Sequence, residues 1–221
     1  MLWLATRRLS KIMDTKVGLA KVAASLREGA ELRMQISRDH AEAIVEAASA
    51  ITECLRAGGK LLLFGNGGSA ADAQHLAAEF VGRFIGERRA LPAIALTTDS
   101  SILTAVGNDY GFEHIFERQI EGLGRANDVA IGISTSGNSP NVIAAVQAAS
   151  KRGLKTIGLI GKDGGMLAKC VDTAITVCAV NTARIQECHI AIGHLFCELV
   201  ELDLVETSLP EPVDTKSSAS Q

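Results

Sequence analysis

Two sets of side chains in this sequence have the types and spacing for chemistry. The first is Ser134-Thr135-Ser136-Gly137-Asn138-Ser139-Pro140, directly after the apolar run Val129 to Ile133. Small hydroxyl and amide groups stand here where a buried strand passes into a helix. Ser139 reads as the N-cap and Pro140 as the first helical residue. Val142, Ile143, Val146 and Ala149 follow at helical spacing. Such a turn presents hydroxyls and free backbone N–H groups at the positive end of a helix, which suits a phosphate. It contains no lysine, so it is not the nucleotide-binding P-loop pattern. A hydroxyl cradle fits a phosphate monoester, such as a sugar phosphate, better than a triphosphate with magnesium. An ordinary strand-to-helix turn would carry the same residues.

The second set is spread along the chain. Gly65-Asn66-Gly67-Gly68-Ser69-Ala70-Ala71-Asp72 ends the first strand. Its glycines allow close backbone approach to a ligand, and Ser69 with Asp72 resembles a capping box. The spacing is not the dinucleotide pattern. His75 and Glu79 follow at i and i+4 on one helix face, where they can supply metal ligands, an acid/base couple or an exposed His–Glu contact. The last helix opens with Ala183-Arg184-Ile185-Gln186-Glu187-Cys188-His189 and reaches His194 two turns later. Gln186 and His194 are separated by a rise of about 12 Å, too far for one ion on a straight helix. Either the helix bends or the two side chains serve different sites. His194 lies beside Leu195 and Phe196, a setting in which a histidine is often a satisfied core residue. Asn108-Asp109 is placed between two helical segments, where plain turn chemistry also accounts for it.

The elements that must position these groups follow from the pattern. Strand-like runs occur at Leu61–Phe64, Ala93–Leu96, Val129–Ile133, Thr156–Ile160 and Thr173–Val177. Helical patterns separate them at about 70–84, 112–123, 140–152 and 183–205. Strands with near-continuous apolar runs, alternating with helices, predict an α/β fold with a parallel sheet covered on both faces. Ligands then bind at the carboxyl ends of the strands. Residues 17–58 form a helical pair ahead of the first strand, with Ile44, Ala48, Ile51 and Leu55 on one face. The pair has no place inside a three-layer sandwich, so its apolar surface argues for oligomerisation.

Composition sets the outer bounds. The 221 residues suit one domain, here 17–206, with 1–16 and 207–221 expected to be disordered extensions and Met13 an alternative start. Hydrophobic residues make up 47% and aromatics only 4%, so the core is aliphatic. A net charge of −3 gives no electrostatic case for nucleic acid. No apolar run reaches membrane-spanning length. Five cysteines without CxxC spacing read as reduced residues of a cytoplasmic protein.

Together Gly65-Asn66-Gly67-Gly68-Ser69, His75 through Glu79, Gly107-Asn108-Asp109, Ser134 to Ser139 and Arg184-Ile185-Gln186-Glu187 through His194 resemble the phosphoheptose isomerase family of sugar-isomerase (SIS) domain proteins. The resemblance runs over roughly residues 17–206, with five motifs in order. It implies a flavodoxin-like three-layer SIS fold and a homotetramer whose neighbouring subunits share active sites. The implied reaction is the conversion of sedoheptulose 7-phosphate to D-glycero-D-manno-heptose 7-phosphate, early in bacterial heptose and lipopolysaccharide synthesis. By resemblance Ser134, Thr135, Ser136 and Ser139 hold the phosphate, and Asn66, Gly67, Gly68, Asn108 and Asp109 contact the sugar. Glu79 and His194 are then the proton-transfer pair, and His75, Glu79, Gln186 and His194 the ligands of one zinc ion per subunit. Glu79 cannot easily be both a tight metal ligand and a free base, so these two implied roles compete.

Two alternatives accompany this reading. The pattern is also similar to a non-catalytic SIS protein that associates with the bacterial replication initiator DnaA, including its Arg-Ile-Gln-Glu run. That protein lacks the catalytic carboxylate and histidine, whereas Glu79 and His194 are both present here. The other alternative is an isomerase of a different sugar phosphate, because selectivity depends on pocket shape.

Overall fold

The apolar runs become the strands of one sheet in the computed structural model, which describes residues 14–206. The expected terminal extensions lie mostly outside these residues. Five parallel strands, β1 (Leu61–Gly65), β2 (Ala93–Ala95), β3 (Val129–Ser134), β4 (Lys155–Gly161) and β5 (Thr173–Val177), lie in the order β2-β1-β3-β4-β5. Every residue of β1 and β3 is buried, as a sheet covered on both faces requires. Alternate residues serve opposite layers. Leu61, Leu63, Ile131, Ile133, Ile157 and Leu159 face one core, while Leu62, Phe64, Ala130 and Ile160 face the other. Each fully buried leucine or isoleucine side chain stabilises the fold by about 1.5–3 kcal/mol.

On the first face pack α1 (Thr15–Asp39), α2 (Ala41–Arg56), α3 (Gly68–Val81) and α7 (Thr182–Glu206). Ile44, Ala48, Ile51 and Leu55 form the expected buried stripe of α2; on α7 Ile185, Ile192 and Phe196 are buried, while Leu199 at the same spacing is half-buried. The second face carries α5 (Glu117–Leu123) and α6 (Pro140–Lys151). Two elements differ from expectation. The pattern at 112–123 divides into a single 3-10 turn, Phe112–His114, followed by α5. A helix not anticipated, α4 (Ser100–Asp109), starts where Asp99 accepts a hydrogen bond from the Ile102 amide at 2.9 Å. Asn108 and Asp109 therefore occupy the last turn of a helix rather than a connecting turn.

The chain steps from β1 outward to β2, then returns across β1 to build β3, β4 and β5. The loops that follow β1 and β3 diverge at this point, which opens a crevice at the carboxyl ends of the strands. Both sets of candidate chemical residues start from these two loops. Among the described residues no helix is long and apolar enough to cross a membrane.

Candidate active site

The loop after β3 is built around its hydroxyls. Ser134 is buried, and its Oγ lies 2.9 Å from Ser139 Oγ and 3.3 Å from Ser136 Oγ. The Gly137 amide donates to Ser134 Oγ at 3.2 Å and the Asn138 amide to Ser136 Oγ at 3.1 Å. Ser139 takes the N-cap position of α6 and Pro140 the first helical one, as expected, yet the Ser139 side chain makes no capping bond. Its hydroxyl turns to Ser134 instead, so serine hydroxyls and helix N–H groups gather at one place. Thr135 is half-buried beside them. Gly137 has a φ of +67°, and a Cβ there would come 2.3 Å from the Gly164 carbonyl oxygen. Only glycine lets the loop lean on the 162–166 turn, where Asn138 Oδ1 accepts from the Met166 amide at 3.0 Å.

The loop after β1 meets this one through paired amides. Asn66 and Asn141 each donate Nδ2 to the other's Oδ1 at 2.8 Å. Asn141 is buried in the first turn of α6, so the pair ties the glycine loop to the hydroxyl loop across the crevice. Asn141 was not among the expected site residues. A buried amide near a helix start gives no separate sequence signal until its partner is known.

Helix α3 starts earlier than the capping-box reading placed it. Its N-cap is Gly67, with no side-chain capping bond, and Ser69 is buried inside the first turn. Asp72 Oδ2 is buried without a hydrogen-bond partner. Burial pushes the Asp72 carboxyl above its ordinary range, with His75 nearby opposing the shift.

One and two turns further along α3 the expected cluster forms. His75 Nε2 lies 3.4 Å from Glu79 Oε1 and 2.9 Å from His194 Nε2, and the ligand atoms of all three residues fall within 4.8 Å of one another. His75 is exposed while Glu79 and His194 are half-buried. The Phe84 ring packs on His194 at a centroid distance of 5.3 Å. His194 is thus no sealed core histidine. Gln186 is not part of this group. It lies at the head of α3, where a Cβ on Gly68 would come 2.2 Å from its Nε2. Seven residues of α3 separate that level from His75, a rise of about 10 Å. Helix α7 therefore addresses two levels of α3 with two side chains. Asn108 donates to Asp109 Oδ1 at 2.8 Å, and both are exposed. No hydrogen bond of the described residues joins them to the loops or to the cluster.

Two imidazoles and a carboxylate at these separations fit a zinc ion. The donor set is of the kind zinc takes in catalytic sites that keep a position open. In one protomer the holding residues would be His75, Glu79 and His194.

The sheet order, the crevice and the hydroxyl loop define a phosphosugar-binding α/β domain, and the comparisons agree. The SIS domain family matches residues 26–161. A phosphoheptose isomerase of Aquifex aeolicus is 56% identical over 190 residues, which covers 86% of this chain and all of that one. One from Pelobacter propionicus is 55% identical over 183 residues, covering 83% and 97%. The structure of phosphoheptose isomerase from Neisseria gonorrhoeae superposes with a TM-score of 0.78 at 47% identity, covering 83% of this chain and 98% of that one. That of the Francisella tularensis protein gives 0.80 at 38% identity, over 84% and 98%. The chain belongs to the phosphoheptose isomerase family of SIS-domain sugar-phosphate isomerases.

Proposed function

We propose that this chain interconverts sedoheptulose 7-phosphate and D-glycero-D-manno-heptose 7-phosphate, a step that supplies heptose for lipopolysaccharide precursors in the cytoplasm. The observation that carries the reading is the meeting of Glu79 and His194, from two different helices, beside His75. A carboxylate and an imidazole so placed match the two proton transfers of an aldose–ketose isomerisation.

Ser134, Thr135, Ser136 and Ser139 hold the phosphate with the N-terminus of α6, which anchors the far end of the sugar. Gly67 and Gly68 let the chain approach closely, and Asn66, Gln186, Asn108 and Asp109 provide polar contacts along it. Glu79 then removes a proton from C1 of the ketose while His194 delivers one to the carbonyl oxygen on C2, which gives an enediol. Return of a proton from Glu79 to C2, with removal of the O1 proton by His194, yields the aldose. Protons and electrons balance without an external oxidant. Zinc, when bound by His75, Glu79 and His194, would polarise oxygens of the substrate, and it would compete with the proton-transfer roles of the last two. In the proposed homotetramer a neighbouring subunit completes each site, which supplies a place for the two levels addressed by α7.

The test is turnover of sedoheptulose 7-phosphate in deuterated buffer, followed by NMR with zinc and after chelation. Wild type should form the aldose with deuterium at C2. Glu79→Gln should lower kcat by at least about 10²-fold, the lower bound for general acid–base catalysis. Folded wild type that forms no aldose even with zinc would refute the heptose assignment.

A further inference from the structure

The segment between α3 and β2 is held by a buried ion pair that no part of the proton-transfer chemistry requires. Arg88 Nε donates to Glu201 Oε1 at 2.8 Å, and both side chains are only 8% exposed. Arg88 Nη2 donates to the Glu79 carbonyl oxygen at 2.7 Å, and Nη1 to those of Phe80 at 2.9 Å, Gly82 at 3.2 Å and Arg89 at 3.2 Å. The guanidinium therefore satisfies carbonyls that the end of α3 leaves free. On the other side Glu201 accepts from the amides of Phe84 at 2.8 Å, Ile85 at 3.0 Å and Gly86 at 2.9 Å. Phe84 is the residue whose ring lies on His194. Glu201 stands seven residues after His194 on α7, about two turns away.

We propose that Arg88 and Glu201 are positioning residues for the proton-transfer pair. Arg88 fixes the backbone of Glu79, and Glu201 fixes the backbone of Phe84, whose ring sets the orientation of the His194 imidazole. One ion pair thus holds both partners from behind without touching the sugar. A surface ion pair would do little of this. Here burial, seven hydrogen bonds to backbone groups and the bond between the two side chains leave no room for either group to be lost without unpaired polar atoms. The proposal rests on the acid–base roles of Glu79 and His194 given above.

The experiment compares full-length wild type with Glu201→Gln and Arg88→Met. Melting curves establish that each is folded, and two variants keep the test open should one fail to fold. Steady-state kcat and KM are measured on sedoheptulose 7-phosphate, together with the proton–carbon NMR signals of the His194 ring in histidine-labelled protein. Phe84→Leu supplies the signal position of His194 without an aromatic neighbour. The expected result is a fall in kcat of about 10- to 100-fold, the scale of an ångström of misplacement. KM should stay within about twofold, because the hydroxyl loop is a separate element. The His194 signals should move toward their Phe84→Leu position. An unchanged kcat, or a lowered kcat with His194 signals unmoved, would overturn the proposal. If wild type shows no turnover, the functional reading fails, and the NMR comparison alone then decides whether the pair holds His194.

Discussion

Ser139 shows how a single side chain can give up one role for another. At an N-cap its hydroxyl would normally satisfy a helix amide, yet it bonds Ser134 and leaves α6 without a side-chain cap. That choice suits an anion at the helix start. A hydrogen bond to a charged group contributes about 1.5–3 kcal/mol, so Ser139→Ala should raise KM for the sugar phosphate about tenfold or more with kcat nearly constant. Initial-rate kinetics read this directly, and an unchanged KM would remove the phosphate from the loop. The residue types in the cluster were legible because i, i+4 spacing puts His75 and Glu79 on one face whatever the tertiary fold. His194 was legible only through resemblance, since its own surroundings read as core. Asn141, Phe84 and Glu201 were missed for a common reason. Each acts through a partner distant in sequence, 75 residues away for Asn141 and 113 for the ion pair.

At the scale of elements, the strands were legible to within a residue or so because apolar runs bounded by polar residues have few other uses. Helix α4 was not, since Asn108-Asp109 at its end reads as turn chemistry and the Asp99 cap at its start was overlooked. Helix α7 carries a consequence for stability through His189. Its ring is fully buried on the sheet side, and neither nitrogen has a hydrogen-bond partner. Burial pushes the imidazole down to about 4, with the Ile160 backbone opposing. The unfolded chain binds a proton near 6.5, so between those values it holds more protons than the native state. Stability is therefore full above about 6.5 and falls as the pH drops toward 4, by about 3 kcal/mol over the whole window. Glu201 adds a separate loss lower down. Burial favours its neutral form, but the amides of Gly86, Phe84 and Ile85 and the Arg88 guanidinium outweigh that and hold its carboxyl below the usual range. Its contribution is present above the ordinary carboxylate value and disappears as the pH falls through the lowered one. His189→Leu should remove the upper part of the acid dependence while leaving stability at pH 7 within about 1.5 kcal/mol. Urea midpoints at pH 7 and pH 5, at fixed protein concentration, check this. Equal losses in wild type and variant would show that His189 is not the cause.

For the whole molecule the decisive element is α1. Of its 25 residues only Gly29 and Ile36 are buried, while Val17, Leu19, Val22, Leu26 and Met34 are all more than half exposed. Its ties to the rest are few, among them a 2.6 Å hydrogen bond from Arg184 Nη1 to the Ser25 carbonyl oxygen. A helix with so little cover gains its stability from packing rather than from propensity, and in the proposed tetramer the apolar residues of α1 would find that packing on a neighbouring subunit. Beside it Ile36, Ile44, Val45, Ile192 and Leu195 line an apolar groove between α1, α2 and α7. Leu195 follows His194 directly, so an interface that covers the groove also reaches the back of the active site. In the proposed tetramer, catalysis and assembly are then coupled. Leu26→Glu, a charge at a residue far from Glu79 and His194 in sequence, should lower the sedimentation coefficient and lower activity in parallel. Raising the protein concentration should restore both together, since association is driven by mass action. Activity per chain that persists in the dissociated variant would mean that each protomer holds a complete site, and the sharing of active sites would have to be abandoned.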